Sequence, residues 1–246
     1  MWTSEEDDMG ALAAVSDGSG AATRIVLAGV EAVCDPRGVL AVPSLRMLVV
    51  SDLHLEKGAA LARRGALVPP YDTAATLARL AAVLDDHRPD IVVSLGDSFH
   101  DGEGSARLPD PYRERLAALM AGRDWYWIAG NHDPDAPRDL PGRSVQELAV
   151  GGLTFRHEPR KGAAEGEVAG HLHPGARIVV RGRSVRRPCF ASDGLRMVMP
   201  AFGAYTGTLN ILDRAYHGLF GMDRLMAYML GRGRVFPIAG TMLSGG

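Results

Sequence analysis

The chain has 246 residues, 46% of them apolar, and a net charge of −2, which allows one large or two small domains with a sizeable core. No apolar run approaches the ~20 residues of a membrane span, and the acidic start from Met1 to Asp8 is unlike the basic head of a secretory signal. The two cysteines, Cys34 and Cys189, form neither a metal spacing nor a disulfide framework, so reduced, buried thiols in a cytoplasmic protein are expected.

Residues 1–22 carry five acids, no Lys or Arg, and no apolar periodicity. They are expected to form a disordered acidic tail ahead of a single domain over 23–246. That domain holds 27 basic residues against 24 acidic ones, so the charge is unevenly spread. From Arg24 the pattern is strand-like, with a turn at Asp35-Pro36-Arg37-Gly38. Leu45–Val50 is the first core strand and ends at Ser51-Asp52. Asp72-Thr73 is expected to cap a helix whose Leu77, Leu80, Ala81 and Leu84 share one face. Ile91–Leu95 forms the next strand, Asp110-Pro111 opens a second helix, and Trp125–Ala129 forms a third strand. Beyond it helices thin out and short strands dominate, ending in a hairpin turned at Gly231-Arg232-Gly233. Alternation first and strands afterwards predict an α/β fold of two packed sheets with helices outside.

Five clusters of Asp, Asn and His follow apolar runs. They are Asp52-x-His54, Gly96-Asp97, Gly130-Asn131-His132-Asp133, His157 and Gly170-His171-x-His173. These side chains bind divalent metals through oxygen or imidazole nitrogen. Seven such ligands at successive strand ends can hold two metals side by side, an arrangement suited to in-line attack on a phosphate ester.

In order and completeness the five clusters resemble the signature of the calcineurin-like metallophosphoesterases. That resemblance implies a two-sheet β-sandwich flanked by helices (αββα). The stretches Ser51–Gly58, Ala62–Gly65, Pro69–Thr73, Gly96–Asp101, Gly170–Pro174 and Pro200–Gly207 are similar, more narrowly, to the ligase-associated DNA damage response endonuclease family PdeM. The similarity spans roughly residues 24–240 and leaves out the acidic tail.

The resemblance implies one metal on Asp52, His54 and His173, a second on Asn131, His157 and His171, and Asp97 as the bridge. Two divalent ions are expected, manganese first, with iron or zinc as alternatives. The reaction implied is phosphodiester hydrolysis of DNA by two-metal activation of a bridging hydroxide, with the enzyme acting as an endonuclease in repair. His132 resembles the family's catalytic histidine, and Asp133 is expected to orient its imidazole. The DNA would be single-stranded or flexible, and association with a DNA ligase and helicase comes from the family alone.

Cations flank the clusters: Lys57, Arg63 and Arg64 after the first, and Arg156, Arg160 and Lys161 around His157. Arg177, Arg181, Arg183, Arg186 and Arg187 fall within eleven positions. Such runs are either solvated faces or a phosphate-binding rim. Arg63, Arg64, Arg183, Arg186 and Arg187 are assigned to substrate, with His100 as either a substrate contact or a loop-packing residue. His87 and His217 are assigned no chemistry, and Trp125-Tyr126-Trp127 is read as core rather than a base-stacking platform. The competing readings are a phosphodiesterase or pyrophosphatase acting on a small nucleotide or other phosphate ester, and a non-catalytic binding module. The second conflicts with the presence of all seven ligands and His132.

Overall fold

The computed structural model describes residues 21–63, 65, 71–135, 137 and 139–245. Nearly all of the expected acidic tail lies outside them, and the carbonyl of Ala21 already accepts a hydrogen bond from Val235 N.

The first sheet contains β1 (Thr23–Leu27), β2 (Val30–Cys34), β3 (Leu40–Val42), β4 (Met47–Val50), β5 (Ile91–Ser94), β6 (Asp124–Ile128) and β7 (Arg143–Val145), in that spatial order. The β1–β4 half is an antiparallel meander. From β4 to β7 the strands are parallel. Parallel neighbours need crossovers, which α1 (Lys57–Arg63) and α2 (Asp72–His87) supply between β4 and β5. The next crossover uses α3 (Gly104–Arg107) and α4 (Asp110–Met120). All four residues of β4 are buried, as expected of a parallel strand covered on both faces.

The second sheet contains β8 (Glu147–Val150), β9 (Leu153–Arg156), β10 (Glu167–Ala169), β11 (Pro174–Val180), β12 (Arg183–Ser192), β13 (Met197–Val198) and β14 (Leu209–Asn210). Their spatial order is β14-β11-β12-β13-β10-β9-β8. The hairpin of β15 (Met226–Gly231) and β16 (Arg234–Ala239) joins through β12.

Strand alternation divides the core into layers. Val49, Val93 and Ile128 point from the first sheet onto Phe155, Val168, Phe190 and Met197 of the second. Leu48, Val50, Val92, Trp125 and Trp127 point outward onto Leu77, Leu80 and Leu84 of α2 and Leu116 and Met120 of α4. Trp125 and Trp127 are only 2% and 3% exposed, so they pack the core and offer no ring to a base. Ile178, Val185 and Met229 on the outer face of the second sheet are covered by Ile211, Tyr216 and Leu219. Among the described residues, a short 3-10 turn at Arg214–Tyr216 stands in that outer layer where the first sheet has α-helices.

The expected cap of α2 is replaced by tertiary bonds. No side chain caps the helix. Instead Asp72 Oδ2 accepts from Gly58 N, while Thr73 Oγ1 accepts from Glu56 N and donates to Glu56 Oε1, tying α2 to the start of α1. At the other end His87 Nε2 lies 2.9 Å from Asp35 Oδ2, and Arg37 bridges Asp35 and Asp86, so the Asp35 turn is fastened to α2. His87 thus has a structural role.

Candidate metal centre

Each cluster leaves the C-terminal end of a strand. Asp52 and His54 follow β4, Asp97 follows β5, and Asn131 and His132 follow β6. His157 follows β9, and His171 and His173 follow β10, which runs parallel to β9. The two sheets therefore contribute ligands from opposite sides of one crevice.

Two triads result: Asp52, His54 and His173, and Asp97, His157 and His171, each with its ligand atoms within 4.8 Å of one another. In the first, His54 Nε2 faces His173 Nε2 at 3.2 Å, and His173 Nε2 lies 3.3 Å from Asp52 Oδ1. In the second, His157 Nε2 lies 3.3 Å from Asp97 Oδ1 and 3.2 Å from His171 Nδ1. Asn131 Oδ1 joins that group at 2.8 Å from His157 Nε2. Asp97 turns Oδ1 to the second triad and Oδ2 toward His54 Nε2 at 4.0 Å, so its carboxylate stands between the two.

The residues fit divalent cations. Imidazole nitrogens and carboxylate oxygens converge without thiolates, a donor set that suits manganese, iron or zinc better than calcium. The backbone is strained to achieve this. Asp52, His54, Asp97, His171 and His173 have φ of 52°, 43°, 47°, 68° and 45°, a region that side-chain-bearing residues rarely occupy. Two glycines let the loops approach. A Cβ on Gly130 would collide with the amide and Oδ1 of Asp97, and one on Gly170 with Ser51 Oγ.

Surrounding bonds aim the ligands. His157 Nδ1 lies 2.7 Å from the carbonyl of Leu95, which can only accept, so the proton sits on Nδ1 and the Nε2 lone pair faces the site. Asp52 accepts from the hydroxyl of Ser51 and from His171 N. Burial opposes charge on Asp52, but the bond and charge of His173 hold its carboxyl below the usual range. Burial opposes charge on Asp97 too, and its bond to His157 has the same overriding effect. Burial is likewise the largest influence on the rings of His54 and His157. It takes His54 down to about 3, leaving a neutral imidazole. On His157 it is outweighed by Asp97 and Asp52, which push that ring up to about 8, so an ion bound at Nε2 would have to displace a proton there to meet the lone pair.

His132 stands outside both triads. Its side chain is 42% exposed, and its Nε2 lies 3.9 Å from Asp97 Oδ2. Its Nδ1 lies 2.8 Å from the carbonyl of His100, and the His100 ring stacks on it with centroids 5.6 Å apart. The residue that orients His132 is thus His100 and not Asp133. Asp133 points the other way, and its Oδ2 accepts from Ser98 N at 2.8 Å and Phe99 N at 3.1 Å. Burial pushes the Asp133 carboxyl up to about 7.

The cations divide. Arg63 ends α1 with Nη2 4.0 Å from Oδ2 of Asp101, the residue after His100, while Arg64 lies outside the described residues. Arg156 and Arg160 do not line a rim, because both pair with Glu147, and Arg156 also pairs with Glu167. Lys161 donates to the carbonyls of Ala215 and His217. Arg183, Arg186 and Arg187 do not form one patch either. Strand alternation puts Arg183 and Arg187 on the face of Val185, which pairs with core residue Ile178, and Arg186 on the other. Arg183 pairs with Val180, seven residues beyond His173 and roughly 23 Å along β11.

Residues 45–186, more than half of the chain, match the family model described as calcineurin-like phosphoesterase. The chain belongs to that family. Its members use divalent metals to hydrolyse phosphoesters, so this protein is a metal-dependent hydrolase of the metallophosphoesterase type. The solved structure of the nuclease MPE from Pseudomonas putida is 28% identical, with a TM-score of 0.68 over 88% of this chain and 100% of that one. Yfce, a phosphoesterase from E. coli, is 14% identical with a TM-score of 0.39, over 78% of this chain and 98% of that one. No curated protein matches the chain. No helix among the described residues is long and apolar enough to cross a membrane.

Proposed function

We propose that this phosphoesterase is a DNA phosphodiesterase, an endonuclease of repair that loads two manganese ions. The observation that carries the reading is a histidine at the mouth of the site that neither triad needs. His132 is tethered at Nδ1 by the His100 carbonyl and presents Nε2 beside Asp97. The likeness to the Pseudomonas putida nuclease supports a nucleic-acid substrate, and the stretches that resemble the PdeM family favour DNA.

Asp52, His54 and His173 would hold one ion, and Asn131, His157 and His171 the other, with Asp97 between them. Bound there, the ions supply Lewis-acid polarisation of the phosphate and a water of lowered pKa. The chain supplies the rest. Hydrolysis forms a bond from a water oxygen to phosphorus and breaks one P–O ester bond. The departing oxygen takes a proton from His132 Nε2 while Nδ1 keeps its own proton on the His100 carbonyl, and the proton lost by the attacking water passes to solvent, from which Nε2 regains one.

The test is incubation of manganese-loaded protein with circular and linear DNA, each single- and double-stranded. Cutting of a closed single-stranded circle is expected. Turnover of small phosphate esters with every DNA left intact would refute the reading.

A further inference from the structure

We propose that Arg177 and Arg186 form an anchoring point for the phosphates of a nucleic-acid strand leaving the metal centre. The proposal rests on the nuclease reading and adds where the strand runs. Arg177 and Arg186 are direct partners in the β11–β12 register, so their side chains share one face. Like charges placed opposite one another across a sheet are destabilising unless something answers them. Among the described residues nothing acidic does. Arg177 donates Nε to Ser184 Oγ at 2.7 Å and Nη1 to the carbonyl of Gly245 at 2.9 Å. Arg186 donates Nη2 to the carbonyl of Thr208. Among the described residues, neither guanidinium lies within ion-pair distance of a carboxylate. Arg37, Arg46, Arg156, Arg160 and Arg196 all do. The two cations are fixed by neutral acceptors and keep further N–H donors for an anion.

Their position relative to the site is the second observation. β11 begins at Pro174, directly after ligand His173, and the carbonyl of His173 accepts from Leu209 N, next to Thr208. The loop that holds Arg186 is therefore bonded to the ligand loop. It is also anchored beneath the first triad, since Gly203 N donates to the carbonyl of Asp52. Arg177 lies four residues beyond His173, about 13 Å along the strand. A stacked strand spaces its phosphates by about 3.4 Å, so the pair would meet a phosphate about four positions from the one being cut. Val179, 52% exposed, continues the same face and offers apolar surface to a sugar or base. A small ester cannot reach from the metals to this pair, whereas a polynucleotide can.

The test uses the full chain with Arg177→Gln and Arg186→Gln together. Glutamine keeps a donor for the neutral acceptors, and an unchanged thermal midpoint checks that the fold is intact. Binding of a labelled single strand to chelated protein is followed against salt by fluorescence anisotropy. Turnover of a small chromogenic phosphodiester is followed on metal-loaded protein. The expected result is a salt slope smaller by about 1.4, about 0.7 for each lost phosphate contact, with turnover of the small diester unchanged. An unchanged slope would overturn the proposal, and so would an equal loss on the small diester. Equally tight binding of polyglutamate would do the same by showing a face for any anion. A wild-type protein that binds the strand with the expected slope but cuts no DNA would sink the nuclease reading and leave the anchoring point standing.

Discussion

Replacing Asp133 separates a role as a loop clamp from a direct part in the chemistry. Its Oδ2 accepts from Ser98 N and Phe99 N, and both residues are 1% exposed. In Asp133→Ala these two amides lose their acceptor inside a buried loop. An unsatisfied buried donor costs about 1–3 kcal/mol, so the pair should cost about 2–6 kcal/mol. Asparagine keeps an oxygen in the same place. Its neutral amide also avoids the burial that already pushes the Asp133 carboxyl up to about 7. Asp133→Asn should therefore stay within about 1 kcal/mol of the parent. The assay is urea unfolding of chelated protein, which removes metal binding from the comparison. The site should register the same difference. Ser98 and Phe99 directly follow Asp97, so the alanine variant should also take up less metal at limiting concentration while the asparagine variant matches the parent. If alanine is as stable as the parent, or asparagine as damaging as alanine, the clamp is refuted.

Chelation should abolish turnover, and Asp97→Ala should lower the content of both metals because its two oxygens face both triads; undiminished turnover in either case would contradict the site. His132→Ala should keep its metals and lose about 10²–10⁴ in turnover, and a variant found empty of metal would make His132 a ligand instead. Burial opposes charge on Asp35, yet bonds from Arg37 and His87 hold its carboxyl well below the usual range. The stability it contributes is complete above the unfolded value of about 3.9 and is lost as pH falls through the folded value. Asp35→Asn should accordingly flatten the acid-side fall of the thermal midpoint below about pH 4, and an unchanged slope would count against the Asp35–Arg37–His87 tie. Phe155→Ala should cost about 3–5 kcal/mol and weaken metal uptake as well, measured by unfolding with and without manganese; a stability loss with metal affinity intact would mean that sheet packing does not set the site.

The convergence of the candidate ligands was legible because each cluster is local and ends an apolar run, so chain order alone brings them to strand ends. The roles of neighbouring side chains were not, because they depend on residues far away in sequence. Asp133 adjoins His132, yet it bonds to amides 34 and 35 residues earlier. Arg156 and Arg160 look like a phosphate rim until Glu147 and Glu167 are seen against them. Asp72 and Thr73 have the composition of a helix cap but are recruited by Gly58 and Glu56. The division of Arg186 from Arg183 and Arg187 carried a usable signal. The three lie on a strand around Val185, and the period of two already assigns them to opposite faces.

The centre straddles the sandwich. Asp52, Asp97 and Asn131 come from the first sheet, and His157, His171 and His173 from the second. Neither sheet can complete a triad alone, since Asp52 and His54 need His173, and Asp97 needs His157 and His171. The separation of ligand atoms is therefore set by how the sheets pack. Phe155 lies two residues before His157, fully buried against the layer that includes Val49 and Val93, three residues before Asp52 and four before Asp97 respectively. Packing at that interface also has to offset the strain of five ligands held at positive φ, at about 1–3 kcal/mol each. The ligand atoms of the two sheets accordingly face one another, His54 Nε2 3.2 Å from His173 Nε2 and Asp97 Oδ1 3.3 Å from His157 Nε2, so a shift of one sheet against the other would part both triads.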